Sequence, residues 1–424
     1  MVSNEAAWFS GLWMATSAAA VNYSRSALPP APAMVLMLLG LMALGLRRSD
    51  SLPSLWRALL CGLLFAGAVL FHPGYVLYLS IPCTFVLFWP ESRDASASIR
   101  WERRLVLVVV IMMSTPLLML AYDAPNVAFH FAQGRLSFSD FVYVKGFKQL
   151  LGSPTVYGGH EGLLFWPRYL LAAEGRVGAV ALLLFVAAAA VPRRDVEAVI
   201  ATRRLFLWAL VPWLLWTAWL SVNSYGRLFA PLLLPLAGLV GLGASRARGM
   251  LERLGVHRVI AHVGLACVVA IPGMIASTAI ILTPGPEPAL ARWAVANGYS
   301  AYGALSAIAF ERSDRIALTP IQLVPAYVPD DLRRAFCSGR SQYLVLSPGA
   351  LYLSLRHYDF LAHQVRLSAV RTAPSPFRVP LRLFEGQSPS ERTQVSNDPF
   401  FAELGLYRVE SVYPPCMSDE AVRP

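Results

Sequence analysis

The sequence predicts a mostly α-helical fold: a polytopic transmembrane helical bundle of about nine spans, followed by a small C-terminal α/β extracytoplasmic domain. Hydrophobic residues make up 56% of the 424 residues and charged residues only 14%, which leaves too little polar surface to cover a soluble protein. Apolar stretches recur through residues 1–283, and lipid is the expected cover for them. A break rich in proline, Thr283–Pro288, then separates them from residues 284–424, where charged and aromatic residues are interleaved.

The apolar stretches are predicted to be helices. Backbone N–H and C=O groups inside lipid must find partners within their own segment, and the alternating pattern of a barrel strand is absent. Several stretches are shorter than the ~20 residues that a helix needs to cross the hydrocarbon core, so their boundaries are approximate. The predicted spans cover residues 7–22, 30–46, 56–71, 75–90, 105–122, 178–192, 205–222, 228–244 and 259–283.

Arginine placement predicts the orientation of these spans. Every second connection is rich in arginine, whereas the short connections between them hold only Arg25, only Arg227 or, at residues 72–74, no basic residue. Cytoplasmic connections carry the excess of basic residues, which places the loop 123–177 and residues 284–424 outside the cytoplasm. The arginine-rich connections hold Arg47, Arg48 and Arg57; Arg93, Arg100, Arg103 and Arg104; Arg193, Arg194, Arg203 and Arg204; and Arg246, Arg248, Arg253 and Arg258.

The net charge of +11 does not indicate nucleic-acid binding, because the basic residues fall in short clusters between apolar stretches instead of forming one patch. The five cysteines show no metal-ligand spacing, so neither a metal nor another cofactor is predicted. Residues 1–24 contain no Lys or Arg, which argues against a secretory signal peptide. A chain that begins within a larger architecture would look like this.

Residues 284–424 are predicted to form an α/β domain with strands Arg315–Thr319, Gln342–Ser347 and Leu406–Val412. Segments 289–310 and 350–364 are predicted to be helices. Cys337 and Cys416 are the only cysteines in this domain, and an oxidising compartment would allow a disulfide between them to persist. The alternative is that Cys416 belongs to a frayed tail.

Three stretches of the helical region resemble the GT-C superfamily of membrane glycosyltransferases, in particular protein O-mannosyltransferases and aminoarabinose–lipid A transferases. Residues 22–29 read Asn-Tyr-Ser-Arg-Ser-Ala-Leu-Pro, similar to an aromatic-Ser-Arg, Leu-Pro-acid pattern of the family. Residues 58–75 form a Gly- and Leu-rich stretch that ends at His72-Pro73-Gly74, where the family often has Thr-Lys. Residues 225–235 resemble the family's Arg-Tyr-Leu-Leu-Pro-Leu-Leu-Pro pattern.

The resemblance implies transfer of a sugar from a polyprenyl-phosphate donor at the outer face of a bacterial inner membrane. It also implies a catalytic acid in the first outer loop, which would precede residue 1. Pro30 stands where the family has an acid after Leu-Pro, and His72 stands where it has Lys. These departures leave two forms of the enzyme open, an active one and a truncated or inactive one. The alternative function is a non-catalytic membrane subunit or scaffold of a larger envelope complex, with membrane protein partners.

Five residues are candidates for binding the lipid phosphate. Arg25 and Arg227 are predicted at outer helix ends, where a guanidinium could grip a phosphate with two hydrogen bonds or simply snorkel to the interface. His72 either donates to the phosphate or serves only as a turn residue. Lys145 and Lys148, the only lysines in the chain, would share one face of a helix or form a solvated surface.

Three acids of the predicted outer loop could replace the missing catalytic base: Asp123, Asp140 and Glu161. Asp123 follows a predicted span, so the alternative for it is a helix end at the membrane interface. A pair such as His160-Glu161 is too short to indicate a metal site. A transporter is a third hypothesis, but the predicted spans lack the buried charges that coupled transport usually needs.

Overall fold

The chain is described by a computed structural model and separates into two compact units. The first contains the described residues up to Thr278 and the second those from Ala279 onward. The structure describes residues 3–25, 30–45, 52–89, 97–134, 164–192, 195–219, 230–282, 290, 293–294, 296–299, 302–303, 333, 336–337, 343–346, 360, 363–374 and 403–414.

The first unit is built from helices, and each predicted span overlaps helical structure within the described residues. Ser3 and Ser54 start two of the helices as N-caps, because their hydroxyls accept hydrogen bonds from the N–H groups of Ala6 and Arg57. The helices are α1 (Asn4–Thr16), α2 (Ala18–Arg25), α3 (Pro30–Ala43), α4 (Leu55–Phe71), α5 (Ser80–Leu87), α6 (Ala97–Ala132), α7 (Phe165–Ala190), α8 (Val196–Trp219), α9 (Leu233–Arg253) and α10 (Arg258–Leu282). Short 3₁₀ segments, Pro73–Leu79 and Ala230–Leu232, precede α5 and α9.

Five segments of the described chain are long and apolar enough to cross a membrane, and they lie on α6 to α10. Large apolar side chains are exposed along these helices, notably on α6, α7 and α10. Contiguous exposed apolar surface on this scale is unusual for a soluble monomer, and lipid tails would cover it without cost. The predicted number of nine crossings stays a prediction, because α3, α4 and α5 are shorter.

Helix α9 is the central helix of the first unit and packs against α1, α7 and α8. Most of it is buried, and glycines permit the closest approaches. A Cβ atom at Gly241 would overlap the carbonyl oxygen of Ala6 on α1. A Cβ atom at Gly243 would overlap the carbonyl oxygen of Phe185 on α7. The missing side chains therefore let three backbones meet in the core.

Arginines of the arginine-rich connections bind the C-terminal carbonyls of neighbouring helices. Arg104 donates from its two Nη atoms to the carbonyl oxygens of Leu87 and Trp89, 2.7 Å each, at the end of α5. Arg246 donates to the carbonyl oxygens of Ala188 and Ala189 and, at 3.0 Å, to that of Val191, at the end of α7. Helix ends leave such carbonyls without intrahelical donors, and a cation also favours the negative end of the helix dipole.

The second unit contains a four-stranded sheet in the order β1-β2-β4-β3. β1 pairs in parallel with β2, and β4 is antiparallel to both its neighbours. The strands predicted at 342–347 and 406–412 are confirmed; the one predicted at 315–319 lies outside the described residues. The strands are β1 (Tyr302–Gly303), β2 (Tyr343–Leu346), β3 (Val365–Pro374) and β4 (Glu403–Val412).

The predicted helix 289–310 is wrong at Gly298 and at residues 302–303, and residues 304–310 lie outside the described part of the chain. Gly298 adopts a φ of +73°, and the N–H of Tyr299 donates back to the carbonyl of Ala294 at 3.0 Å, which is how a helix ends in a left-handed residue. Residues Tyr302 and Gly303 then belong to β1. Of the second predicted helix, 350–364, the structure describes Phe360 and His363 as helical.

Candidate functional site

The predicted site residues are only partly described. The structure describes His72, Asp123 and Cys337 with their side chains, and it places Arg25 as the last residue of α2. Six of the predicted site residues lie outside the described part of the chain, and their roles stay predictions: Arg227, Lys145, Lys148, Asp140, Glu161 and Cys416.

His72 links α4 to the 3₁₀ segment and is a turn residue, which was one of its two predicted roles. Its Nδ1 accepts a hydrogen bond from the N–H of Gly74 at 3.1 Å, and its ring lies 5.6 Å from that of Tyr75, centroid to centroid. Because Nδ1 is an acceptor, the neutral ring carries its proton on Nε2. A phosphate role for His72 would have to use Nε2.

Asp123 is a buried residue inside α6, with only 2% of its surface exposed. The alternative interpretation, that it ends a helix at the interface, is wrong, because α6 continues to Ala132. Pro125 lies inside this helix; a proline removes one N–H donor and here does not terminate the helix. Buried carboxylates are rare without a specific reason, so Asp123 remains a candidate for chemistry.

A second buried carboxylate, Glu174 on α7, was not predicted. It is 3% exposed, and its Oε1 accepts a hydrogen bond from the hydroxyl of Ser17 at 2.5 Å. No described residue donates to Oε2, and no described Lys, Arg or His forms an ion pair with this carboxylate. The predicted span starts at residue 178, so Glu174 falls within the predicted outer loop 123–177. The apolar run Leu163–Trp166, continued by Leu170–Ala173, is the signal that would have extended it.

The helical backbone is irregular at two places around this carboxylate, and a third helix carries an internal proline. Ser17 separates α1 from α2 with a ψ of 126°, and Gly175 kinks α7 with φ 70° and ψ 175°. Helix α10 carries Pro272 in its interior, and the hydroxyl of Ser277 donates to the carbonyl of Thr16 at 2.7 Å. The buried hydroxyls and the carboxylate thus occupy one contact between α1, α2, α7 and α10.

Close packing fixes this contact. A Cβ atom at Gly178 would lie 2.9 Å from Cβ of Glu174 and 3.1 Å from Cβ of Pro272. A Cβ atom at Gly273 would lie 2.7 Å from the carbonyl oxygen of Thr16. Real Cβ atoms do not approach that closely, so the two glycines are required for α7 and α10 to reach the break after α1. We call Glu174, Ser17, Thr16 and Ser277 the buried polar cluster.

The opposite end of α1 carries a charged cluster. Oε1 of Glu5 lies 2.5 Å from Nε of Arg248 and 3.6 Å from Nδ1 of His262, while Oε2 accepts a hydrogen bond from Ser245 at 3.1 Å. These contacts tie the start of α1 to the end of α9 and the start of α10. Each charge has an opposite neighbour, so this cluster serves packing. Within the described ranges, no three His, Cys, Asp or Glu residues converge as a metal site would require.

Arg333 organises the region around Cys337 in the second unit. Its guanidinium donates to the carbonyl oxygens of Tyr413 at 2.9 Å and Pro414 at 3.1 Å, and to Oε1 of Gln364 at 2.7 Å. Cys337 is disulfide-bonded, whereas Cys61, Cys83 and Cys267 are free. Pro414 stands two residues before Cys416, so these contacts favour the predicted pairing. The pairing itself stays a prediction.

Comparison of the chain with family models, with curated proteins and with solved structures finds no significant match. No family is therefore shown for this chain.

Proposed function

We propose that this chain is an integral protein of a bacterial inner membrane that transfers a sugar from a polyprenyl-phosphate donor at the outer face, with its C-terminal domain outside the cytoplasm. The observation that carries the proposal is the burial of two carboxylates, Asp123 and Glu174, in an apolar helical unit. Ionisable residues inside such bundles are costly and mark functional sites by default. Transfer to a hydroxyl needs such a carboxylate as a base.

The positions of the two carboxylates along their helices support an outer site. Glu174 lies about 21 Å along α7 from Ala188, and Asp123 about 28 Å along α6 from Arg104, at the rise of an α-helix. Ala188 and Arg104 belong to the arginine-rich ends. Because the hydrocarbon core is about 30 Å thick, both carboxylates fall in the outer half of the membrane in the predicted orientation. A donor headgroup at the outer face would lie within reach of that level.

The packing of the resemblance segments supports a phosphate site near the same level. The 3₁₀ segment Ala230–Leu232, which belongs to the third segment, contacts α2 and α3. The first segment includes Arg25, the last residue of α2, and α3 follows it. Arginine suits a phosphate because its planar fork gives two hydrogen bonds. Arg227 and Arg25 are our candidates for that contact.

A non-catalytic membrane subunit is the second candidate function. It is favoured by His72, which stands where the family often has Lys and whose Nδ1 accepts a hydrogen bond within its own turn. Binding of the lipid phosphate separates the two functions, because a scaffold has no need of it.

Arg227→Ala is expected to weaken binding of polyprenyl phosphate by about 30- to 1,000-fold. Removing one such contact costs on the order of 2–4 kcal/mol, and each 1.4 kcal/mol is about tenfold in affinity. The measurement is a titration of the purified full chain in nanodiscs with polyprenyl phosphate and with the polyprenol of the same length.

Arg176→Ala is the matched control, since Arg176 is exposed on α7 and the same charge is removed. We expect its affinity to stay within about threefold of the wild-type value, the scale of a surface contact. Equal affinity of the wild-type protein for polyprenol and polyprenyl phosphate would contradict the proposed function. Unchanged binding by Arg227→Ala would remove Arg227 from the site.

A further inference from the structure

We propose that Glu174 is the catalytic base of this protein: its Oε2 accepts the proton of the acceptor hydroxyl, and Ser17 is the residue that positions the carboxylate. This inference rests on the proposed function and replaces Asp123, Asp140 and Glu161 in that role.

The hydrogen bonds of Glu174 leave one oxygen for a ligand. Ser17 donates to Oε1 at 2.5 Å, which fixes the plane of the carboxylate. Oε2 accepts a hydrogen bond from no described residue, and only 3% of the residue's surface is exposed. A carboxylate oxygen with no donor among the described residues can accept a hydrogen bond from a ligand. A donor hydroxyl on the acceptor would be such a ligand.

Within the described residues Glu174 has no cationic partner, which argues against a purely structural role. Buried carboxylates that stabilise a fold are normally paired with Arg or Lys, as Glu5 is with Arg248 at the other end of α1. Glu174 has a hydroxyl as its partner in place of a cation. A carboxylate that must accept a proton during a reaction is better left without a fixed cation, because a cation would lower its basicity.

The backbone around Glu174 is arranged to hold this carboxylate off the regular helix. Gly175, immediately after it, takes a φ of 70°, a left-handed conformation that costs other residues about 1–2 kcal/mol in local strain. Breaks in membrane helices are places where polar ligands are bound inside bundles.

Helix contacts connect the helix of Glu174 with the helix that ends at Arg25. Helix α7 contacts α2, which follows Ser17 and ends at Arg25. Asp123 lies on α6, whose main partners are α4 and α5. Of the two buried carboxylates, Glu174 is therefore on the helix that packs beside the first resemblance segment.

The acceptor O–H bond breaks as its proton moves to Oε2 of Glu174, and the acceptor oxygen forms a bond to the anomeric carbon of the sugar. The bond from that carbon to the phosphate oxygen breaks, and its electron pair leaves with the polyprenyl phosphate. Glu174 then releases the proton to water, so the products are the glycoside, polyprenyl phosphate and a proton. Water can take the acceptor's place, which gives free sugar.

The test measures release of polyprenyl phosphate from a panel of polyprenyl-phosphate hexoses, using the full chain in membranes with water as the acceptor. Glu174→Gln keeps the shape of the side chain but cannot take the proton. We expect its kcat to fall by about 100- to 10,000-fold, the range for loss of a general base, while KM and polyprenyl-phosphate affinity stay within about threefold. Glu197→Gln, which changes an exposed acid on α8, is the control and should match the wild-type protein.

Ser17 is tested as a positioning residue. Ser17→Ala should lower kcat about tenfold without changing KM, because a misoriented base transfers the proton less efficiently. Ser17→Thr keeps the hydroxyl and should restore most of the rate. A loss with Ser17→Thr equal to that with Ser17→Ala would contradict positioning through the hydroxyl.

The outcomes separate failure of the inference from failure of the proposed function. Glu174 is overturned as the base if Glu174→Gln turns over the donor as fast as the wild-type protein, or if only Asp123→Asn abolishes turnover. In either case the proposed function remains. No turnover of any donor by the wild-type protein overturns the function and the inference together. If Glu174→Gln fails to fold, Glu174→Asp is the second variant, because it keeps the charge but moves the carboxylate back by one methylene. A lower kcat at unchanged KM is again the expected result.

Discussion

Gly243→Leu is expected to prevent the helical unit from folding, and Gly243→Ala to destabilise it strongly. A Cβ atom at Gly243 would overlap the carbonyl oxygen of Phe185 and lie 2.6 Å from its carbonyl carbon. These are backbone atoms of α7, so no side-chain rotation can relieve the clash, and α7 must separate from α9. Overpacking costs typically about 1–3 kcal/mol and more where backbones must move, against a total stability of about 5–15 kcal/mol.

The measurement is the yield of monodisperse protein in detergent and its thermal midpoint. Gly249→Ala and Gly264→Ala are the matched controls, because an added Cβ at either position meets no atom within 4 Å. Both sit in helices, where alanine is favoured over glycine by about 1 kcal/mol. A Gly243→Ala protein as stable as these controls would show that α7 and α9 do not pack as described.

Impermeant maleimide is expected to label Ala369→Cys in intact cells and to label Leu254→Cys only after permeabilisation. Ala369 is an exposed residue of β3 in the C-terminal unit. Leu254 is 74% exposed in the turn after α9, beside the arginines at the end of that helix. The positive-inside rule puts that turn in the cytoplasm and the C-terminal unit outside. The effect is all or none at each site.

A chain with Cys267→Ala and no added cysteine supplies the background, because Cys267 is the exposed one of the three free cysteines. Labelling is done under non-reducing conditions, so that the disulfide of Cys337 stays intact. Labelling of Leu254→Cys in intact cells together with protection of Ala369→Cys would invert the orientation. The proposed outer site would then lie on the wrong side of the membrane.

The helices could be predicted from the sequence because lipid imposes one strong rule, a continuous apolar stretch with internal hydrogen bonds. Boundaries were less predictable. The predicted span 178–192 starts later than α7, Phe165–Ala190, and the charged residues Glu174 and Arg176 interrupt the apolar stretch before it. Asp123 was placed at a helix end for the same reason, yet α6 continues to Ala132.

The C-terminal sheet was harder to predict. β2 and β4 carry recognisable apolar patterns, but β3 contains register shifts after Arg366 and between Ala369 and Arg371. Each shift changes which face a side chain occupies, so the alternation that marks a strand is lost. The turn at Gly298 similarly depends on a positive φ, which a sequence permits at any glycine without requiring it.

The buried polar cluster was beyond prediction for a different reason. Ser17 and Glu174 are 157 positions apart in the sequence, and no pattern in either segment predicts a contact with the other. The hydroxyl and the carboxylate meet because α1 breaks, α7 kinks and two glycines let α10 approach. Arg25 and Arg227, by contrast, were selected on a resemblance, and their side chains lie outside the described residues.

The most direct test of outer-face lipid-phosphate binding is photo-crosslinking with a short-chain polyprenyl phosphate that carries a photoreactive group. The full chain in membranes is irradiated, digested and mapped by mass spectrometry, with unlabelled polyprenyl phosphate or polyprenol as competitor. We predict crosslinks within residues 18–29 and 225–235 that polyprenyl phosphate removes and polyprenol does not. Crosslinks confined to residues 246–262, at the arginine-rich end, or competition by both lipids to the same degree would contradict the account.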